Sequence, residues 1–489
     1  MEGSHAADIV APRAVPVPGS YGVPFISAVR DRLDFFYLQG QDKYFESRAE
    51  MYGSTVVRVN VPPGPFMARD PRVVALLDAK SFPVLFDVDK VEKRDVFTGT
   101  YMPSVSLTGG HRVCSYLDPS EPNHGKLKQM LFTLLASRKD AVVPAFRSNF
   151  AALLDAVETQ LASNGKADFT GLNDVTSFEF IGEAYFGVRP SSSAALGASG
   201  SRKAGRWLLW QICPVFTFGL PMIVEDPLLH TVPLPPFLVS SDYKALYTYF
   251  AAAAASSRAL DAAVGLGLSR EEACHNLLFA TVFNSYGGLK LLLPGILARV
   301  AASGEKLHER LAKEIRDAVA STGGGEVTPA ALEQMELTKS VVWEVLRLDP
   351  PVKFQYGRAK ADMEVESHDA SYSIKKGEML FGYQPCATRD ARVFGPTARE
   401  FVGDRFVGEE GRKLLRYVYW SNGRETENPS VGNKQCPGKN LVVLVGRLLL
   451  VELFLRYDTF AAELVGATAN VVITGVTRAA TSVSIPATA

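Results

Sequence analysis

The chain has 489 residues, enough to bury a large core. Its 52 Lys and Arg balance 52 Asp and Glu, and no Lys/Arg run is clustered, which argues against nucleic acid as a partner. Apolar residues at 47% match an ordinary soluble globular protein.

In chain order, residues 1–22 (MEGSHAADIVAPRAVPVPGSYG) read as a flexible Pro/Gly-containing lead. They hold no apolar run long enough for an anchor or signal peptide. Two acids and few basic or hydroxyl residues speak against a transit peptide. Length alone suggests about three domains, but no linker separates them. The small-residue stretches Pro190–Gly205 and Ser321–Pro329 read as surface loops, so residues 23–489 are expected to form one domain. Thr55–Val61 alternates like a strand of a small sheet. From Ser120 onward the pattern turns helical, with apolar residues at helical spacing over Asn149–Leu161 and Lys306–Val319.

Ser269 and Glu272 form a capping box that opens a long helical segment reaching Ser303. Within it, Gly287 and Gly288 each cost roughly 1 kcal/mol relative to Ala, and Pro294 predicts a kink. Such defects suit a core helix that makes room for something. A further helix is predicted over Leu332–Arg347, stopped by Asp349-Pro350-Pro351. Phe354–Ile374 alternates like hairpin strands. Leu441–Phe454, interrupted by Arg447 and Glu452, reads as a buried helix rather than a membrane span. The fold class is mainly α with small β-sheets.

The five cysteines, Cys114, Cys213, Cys274, Cys386 and Cys436, are widely spaced and form no CxxC pair. This argues against a disulfide framework or a structural zinc site, and for a reducing compartment. One of them stands apart. Ser430-Val-Gly-Asn-Lys-Gln-Cys-Pro-Gly-Lys-Asn440 follows a polar loop and precedes the last apolar helix. A cysteine there lies near a helix N-terminus, where backbone N–H groups favour a thiolate, and Gly432 and Gly438 let the backbone approach a flat ligand. Taken alone, the loop leaves an ordinary buried cysteine equally open. Glu344 and Arg347 share a helix face. Their apolar flanks (VVWEVLRL) bury the pair, and buried charges persist when partnered. Asp404-Arg405-Phe406 offers a second guanidinium.

Together the Glu344/Arg347 helix, the Arg405-Phe406 element and the Gly432/Cys436/Gly438 loop resemble the cytochrome P-450 superfamily. The resemblance spans nearly the whole chain and implies a single-domain haem-thiolate fold. Two departures narrow it. Phe283-Asn-Ser-Tyr-Gly-Gly288 carries no acid–Thr pair for delivering protons to bound oxygen, and Pro429 stands where an aromatic residue is usual. With these features, the strings PVPGSYG, KRDVFTGTYMPS, SYLDPSEPNHGKLK, EEACHNLLFATVFNSYGG, MELTKSVVWEVLRLDPPV, HDASYSIKKGEMLFGYQP, YVYWSNG and VGNKQC are similar to the plant fatty-acid hydroperoxide-metabolising subfamily, in its allene oxide synthase branch. Pro437, Asn440, Gly403-Asp404 and Arg424 depart from that pattern without removing a ligand.

The resemblance implies haem b as cofactor, with Cys436 as the proximal thiolate on iron. Lys93, His124, Lys128 and Lys434 would surround the haem propionates. Glu344, Arg347 and Arg405 would clamp the back of the haem loop. Asn284 would hydrogen-bond the peroxide of the substrate, Lys290 would contact the fatty acid, and Phe97 would steer product choice. The implied activity is a hydro-lyase reaction turning 9- or 13-hydroperoxides of linoleic or linolenic acid into unstable allene oxides, in oxylipin and jasmonate biosynthesis. It needs neither dioxygen nor a reductase. A hydroperoxide lyase or divinyl ether synthase is the nearest rival. A reductase-dependent monooxygenase and a non-catalytic haem or lipid carrier are more distant ones. The N-terminus points to the cytosol, whereas members of the subfamily work in plastids. Thr231–Leu238 (TVPLPPFL) is a candidate for peripheral membrane contact. His111, His275 and His308 read as ordinary polar contacts.

Overall fold

The computed structural model describes residues 14–480 except 256, 324 and 467. Helix formation follows the apolar periodicity over most of that length. Val142–Asn164, Phe169–Phe186, Glu305–Gly323 and Glu336–Leu348 pack with Lys439–Arg456 around one large core. Lys439–Arg456 is buried on nearly every side from Val443 to Leu455, as a largely apolar helix tends to be, and its charged Arg447 and Glu452 pair with Glu333 and Arg147. At Gly446 a Cβ would approach Val342 Cγ1 to 2.9 Å and Ile296 Cδ1 to 3.0 Å. The absent side chain therefore lets three helices cross closely.

Among the described residues, three small sheets complete the body. Five strands run in the order Val56–Asn60, Arg72–Leu76, Met379–Tyr383, Phe354–Ala359, Val91–Glu92. A C-terminal hairpin, Tyr457–Val465 with Asn470–Arg478, is joined by Ala167–Asp168. The third sheet pairs Val15–Pro16 with Ser371–Ile374 and Met363–Glu366. The mainly α architecture with small sheets is the one the sequence predicts.

Several local expectations are corrected. The lead is not uniformly flexible: Val15 and Pro16 pair in parallel with Tyr372 and Ser373, and Val17 is buried, while residues 1–13 lie outside the described residues. Pro190–Gly205 is not all loop, because the helix Gly200–Ile212 begins inside it. Phe354–Ala359 does not form a hairpin with the strands that follow it. It pairs with Met379–Tyr383, and Met363–Glu366 and Ser371–Ile374 form their own hairpin. Leu332–Arg347 is split at Met335 into Pro329–Gln334 and Glu336–Leu348.

The segment opened by Ser269 is helical from Arg270 to Ser303, and Ser269 Oγ accepts the Glu272 N–H as a capping box should. It is long and apolar enough to cross a membrane, but most of its apolar window is buried inside the protein. Its irregularity comes ahead of the glycines, as a π-helical turn over Ala280–Tyr286. Such a turn widens the backbone and re-aims side chains.

Candidate active site

The principal cavity lies between that π turn and the cysteine loop. One wall is Gln435, Cys436, Pro437, Gly438, Leu441 and Val442, at the start of Lys439–Arg456. The facing wall is Phe279, Ala280, Thr281, Phe283, Asn284 and Ser285. Leu131, Leu134, Leu135, Phe180 and Ile181 add an apolar flank.

Cys436 sits three residues before the helix, and its carbonyl accepts the Lys439 N–H. Burial raises the thiol pKa, and the Gly438 N–H and the Lys128 charge pull the other way. A thiolate there therefore needs a positive centre beside it, which a metal ion provides.

The cavity edge is lined by basic side chains. Lys93, His124, Lys128 and Lys434 all line it, and among the described residues no Asp or Glu does. Burial, then the Lys434 charge, pushes Lys93 down to about 7. Burial also brings Lys128 to about 8, and burial with the Lys434 and Lys128 charges brings His124 to about 4. Lys93 Nζ donates to the Tyr356 carbonyl at 2.5 Å, and Lys128 Nζ donates to the Asn433 carbonyl and its Oδ1. Lys434 Nζ donates to the carbonyls of Cys114, Ser115 and Leu117 at 3.0, 3.0 and 2.9 Å. Those three bonds use all its protons, and its charge also bears on Lys93, His124 and Lys128.

Buried polar atoms without protein partners also face this space: His124 Nδ1, Thr281 Oγ1, Gln355 Nε2 and Gln435 Oε1. A thiol on one wall, cations without a carboxylate at the edge and unpaired polar atoms between them fit a flat, metal-bearing group with carboxylate arms. That is the donor set a haem requires.

Behind the loop, Glu344 accepts Arg347 Nε and Nη2 at 2.7 and 2.8 Å, and Arg405 Nε at 2.9 Å. Arg347 Nη1 also donates to the Thr388 and Ala398 carbonyls at 2.9 and 2.6 Å. Glu344 and Arg347 have fully buried side chains. The three charges predicted as a clamp therefore meet at one point.

Asn284 is exposed to the cavity and, among the described residues, its side-chain amide has no protein hydrogen bond. Phe97 packs against Phe283 and Tyr116 at 5.3 and 5.4 Å between centroids, and Phe279 stacks on Phe283 at 4.7 Å. Lys290 is a correction. It does not line the cavity but pairs with Asp174 on Phe169–Phe186, which also accepts from the Tyr286 hydroxyl. At 3.6 residues per turn, the step from Asn284 to Lys290 is not a whole number of turns and points to another face. Thr281, Gln355, Tyr185 and Ser285 line the cavity and were missed. The alternation of Phe354-Gln355-Tyr356 was the available signal for Gln355.

A helix-rich body with a cysteine loop before its last long helix and a buried Glu–Arg–Arg cluster defines the haem-thiolate class. The cytochrome P450 family model matches residues 301–466. The chain is 83% identical to allene oxide synthase 2 of Oryza sativa subsp. japonica, over 96% of this chain and 97% of that one. It is 55% identical to the chloroplastic allene oxide synthase of Arabidopsis thaliana, over 91% and 85% of the two chains. It is 54% identical to the chloroplastic allene oxide synthase 1 of Solanum lycopersicum, over 95% and 87%. The chain belongs to the allene oxide synthase family of the cytochrome P450s.

Proposed function

We propose that the protein is a haem-thiolate hydro-lyase that dehydrates 9- or 13-hydroperoxides of linoleic or linolenic acid to allene oxides, using neither dioxygen nor a reductase. The observation that carries this reading is the wall facing Cys436, which among the described residues offers the unpaired amide of Asn284 and no carboxylate. Haem, when held there, would supply the iron chemistry for opening the O–O bond already present in the substrate. Cys436 would hold that iron, and Lys93, His124 and Lys128 would meet the carboxylate arms under the Lys434 charge.

The protein's own contribution is orientation and restraint. The Asn284 Nδ2 donates to a peroxide oxygen without acting as a strong acid. Cleaving dioxygen would require delivered protons, and no Asp or Glu among the described residues lines the cavity to relay them. The Phe97, Phe279 and Phe283 rings, with Tyr116 packed behind Phe97 and Phe279, exclude water from the reacting carbons and restrict how they rearrange. The apolar flank from Leu131 to Leu135, with Phe180 and Ile181, suits the acyl chain.

Peripheral attachment to a membrane is part of the same reading. Ile223 is 81% and Phe237 72% exposed, and Val224, Leu228, Val232 and Leu238 are exposed beside them. Phe25 and Phe66, also exposed, touch at 5.4 Å, and Arg32 ties their neighbourhood to this segment through Asp226 at 2.8 Å. The chloroplastic names of the tomato and Arabidopsis relatives support a plastid location.

The test is anaerobic turnover of haem-loaded protein with each hydroperoxide and no reductant, read by mass spectrometry. Ketols and cyclopentenones, the decay products of an allene oxide, are expected. Asn284→Ala should slow turnover about 100-fold, and Phe97→Leu should divert product toward short aldehydes. Aldehydes from the unaltered protein would make it a lyase, and intact hydroperoxide would end the reading.

A further inference from the structure

The sequence suggests that His111 and His275 are ordinary polar contacts, but the structure puts them together with a carboxylate. His111, Glu271 and His275 each bring one ligand atom within 4.8 Å of the others. Glu271 and His275 lie one turn apart on Arg270–Phe279 and so share a face, with His275 Nε2 3.9 Å from Glu271 Oε1. His111 arrives from the turn after Val105–Thr108, its ring 5.5 Å from that of His275.

The His275 ring is fixed as a metal ligand needs to be. Tyr247 stacks on it at 4.3 Å. A Cβ on Gly109 would lie 2.1 Å from Nε2, 2.3 Å from Cε1 and 2.5 Å from Cδ2. Such similar distances put Gly109 over a ring face and leave the in-plane lone pair of Nε2 clear. Nδ1 is 2.5 Å from the Tyr243 hydroxyl. With Nδ1–H donating to that oxygen, Nε2 becomes the ligating atom, the arrangement that orients metal-bound imidazoles.

We propose that His111, Glu271 and His275 bind one zinc-class divalent cation, outside the catalytic cavity. Two imidazoles and a carboxylate suit such an ion, with water completing a tetrahedral shell. The ion would clip the His111 turn to the helix at His275. The next residue, Asn276, already accepts the Cys114 N–H at 2.8 Å, and both Asn276 and Cys114 line the cavity. The clip therefore braces one cavity edge.

The experiment is zinc titration by calorimetry of the full-length protein as purified, washed free of metal with a chelator. One zinc per chain is expected, with two imidazoles seen by zinc-edge X-ray absorption. His111→Ala and Glu271→Gln, at half-buried and exposed positions, should each weaken binding at least about tenfold, and Tyr243→Phe about 10- to 100-fold. Circular dichroism checks that each variant stays folded. Absence of a stoichiometric zinc, or equal zinc affinity in a folded His111→Ala, overturns the proposal.

Discussion

Glu344 accepts three hydrogen bonds from two guanidiniums with its side chain fully buried. Burial lowers the Arg347 pKa, and Glu344 opposes that loss. A carboxylate shared in this way leaves two buried cations behind if it is neutralised. Glu344→Gln should therefore lower stability by roughly 3–5 kcal/mol, measured by chemical denaturation of the purified chain. A change under about 1 kcal/mol would show that the cluster is solvated or replaceable. Lys434 makes the complementary point. Sequence resemblance puts it beside the propionates, and in the structure its three protons go to the carbonyls of Cys114, Ser115 and Leu117.

Elements in this protein are often ended by partners distant in sequence. The break at Met335 comes with no local cap on Glu336–Leu348. Instead Glu314, from Glu305–Gly323, accepts the Leu337 and Thr338 N–H groups at 2.6 and 2.8 Å and the Thr338 hydroxyl at 2.6 Å, doing the work of an N-cap. The C-terminal hairpin is held in a similar way. Burial alone would raise the Glu158 carboxyl pKa, but hydrogen bonds from Arg456, Tyr457 and Arg478 overcome this and hold it at about 2. The unfolded carboxyl, near 4.5, binds more protons between those values. The contribution is thus complete above about 4.5 and is lost as pH falls toward 2. Glu158→Gln should cost about 1–2 kcal/mol at neutral pH, with the gap to the unaltered protein closing in acid. A pH-independent gap in thermal melts would refute that origin.

At the scale of the whole molecule, the five-stranded sheet and the helical body enclose a cavity that no Asp or Glu among the described residues lines, while apolar side chains around Ile223 and Phe237 remain outside. Exposed apolar groups of this density fit the peripheral membrane attachment proposed above, which would bring the enzyme to a lipid substrate. Ile223→Asp with Phe237→Asp should lower cosedimentation with anionic phospholipid vesicles at least about fivefold, each buried side chain being worth about 1.5–3 kcal/mol. Turnover of hydroperoxide dispersed in detergent should be unchanged. Equal sedimentation would assign the surface another role.

The sequence by itself determined the helix-rich class, the Ser269 cap, the buried last helix and the set of residues that carry the haem-thiolate resemblance. These are local signals: apolar period, capping pairs and a cysteine loop at a helix start. Only the tertiary structure decided the rest. It turned Lys290 to Asp174, placed the π turn that presents Asn284, split the helix at Met335, docked Val15–Pro16 on a sheet and gathered His111 with His275. Each of these depends on which face of an element meets which distant neighbour. Side-chain period along the chain records that a face is buried, but the partner it is buried against is set by packing of the whole fold.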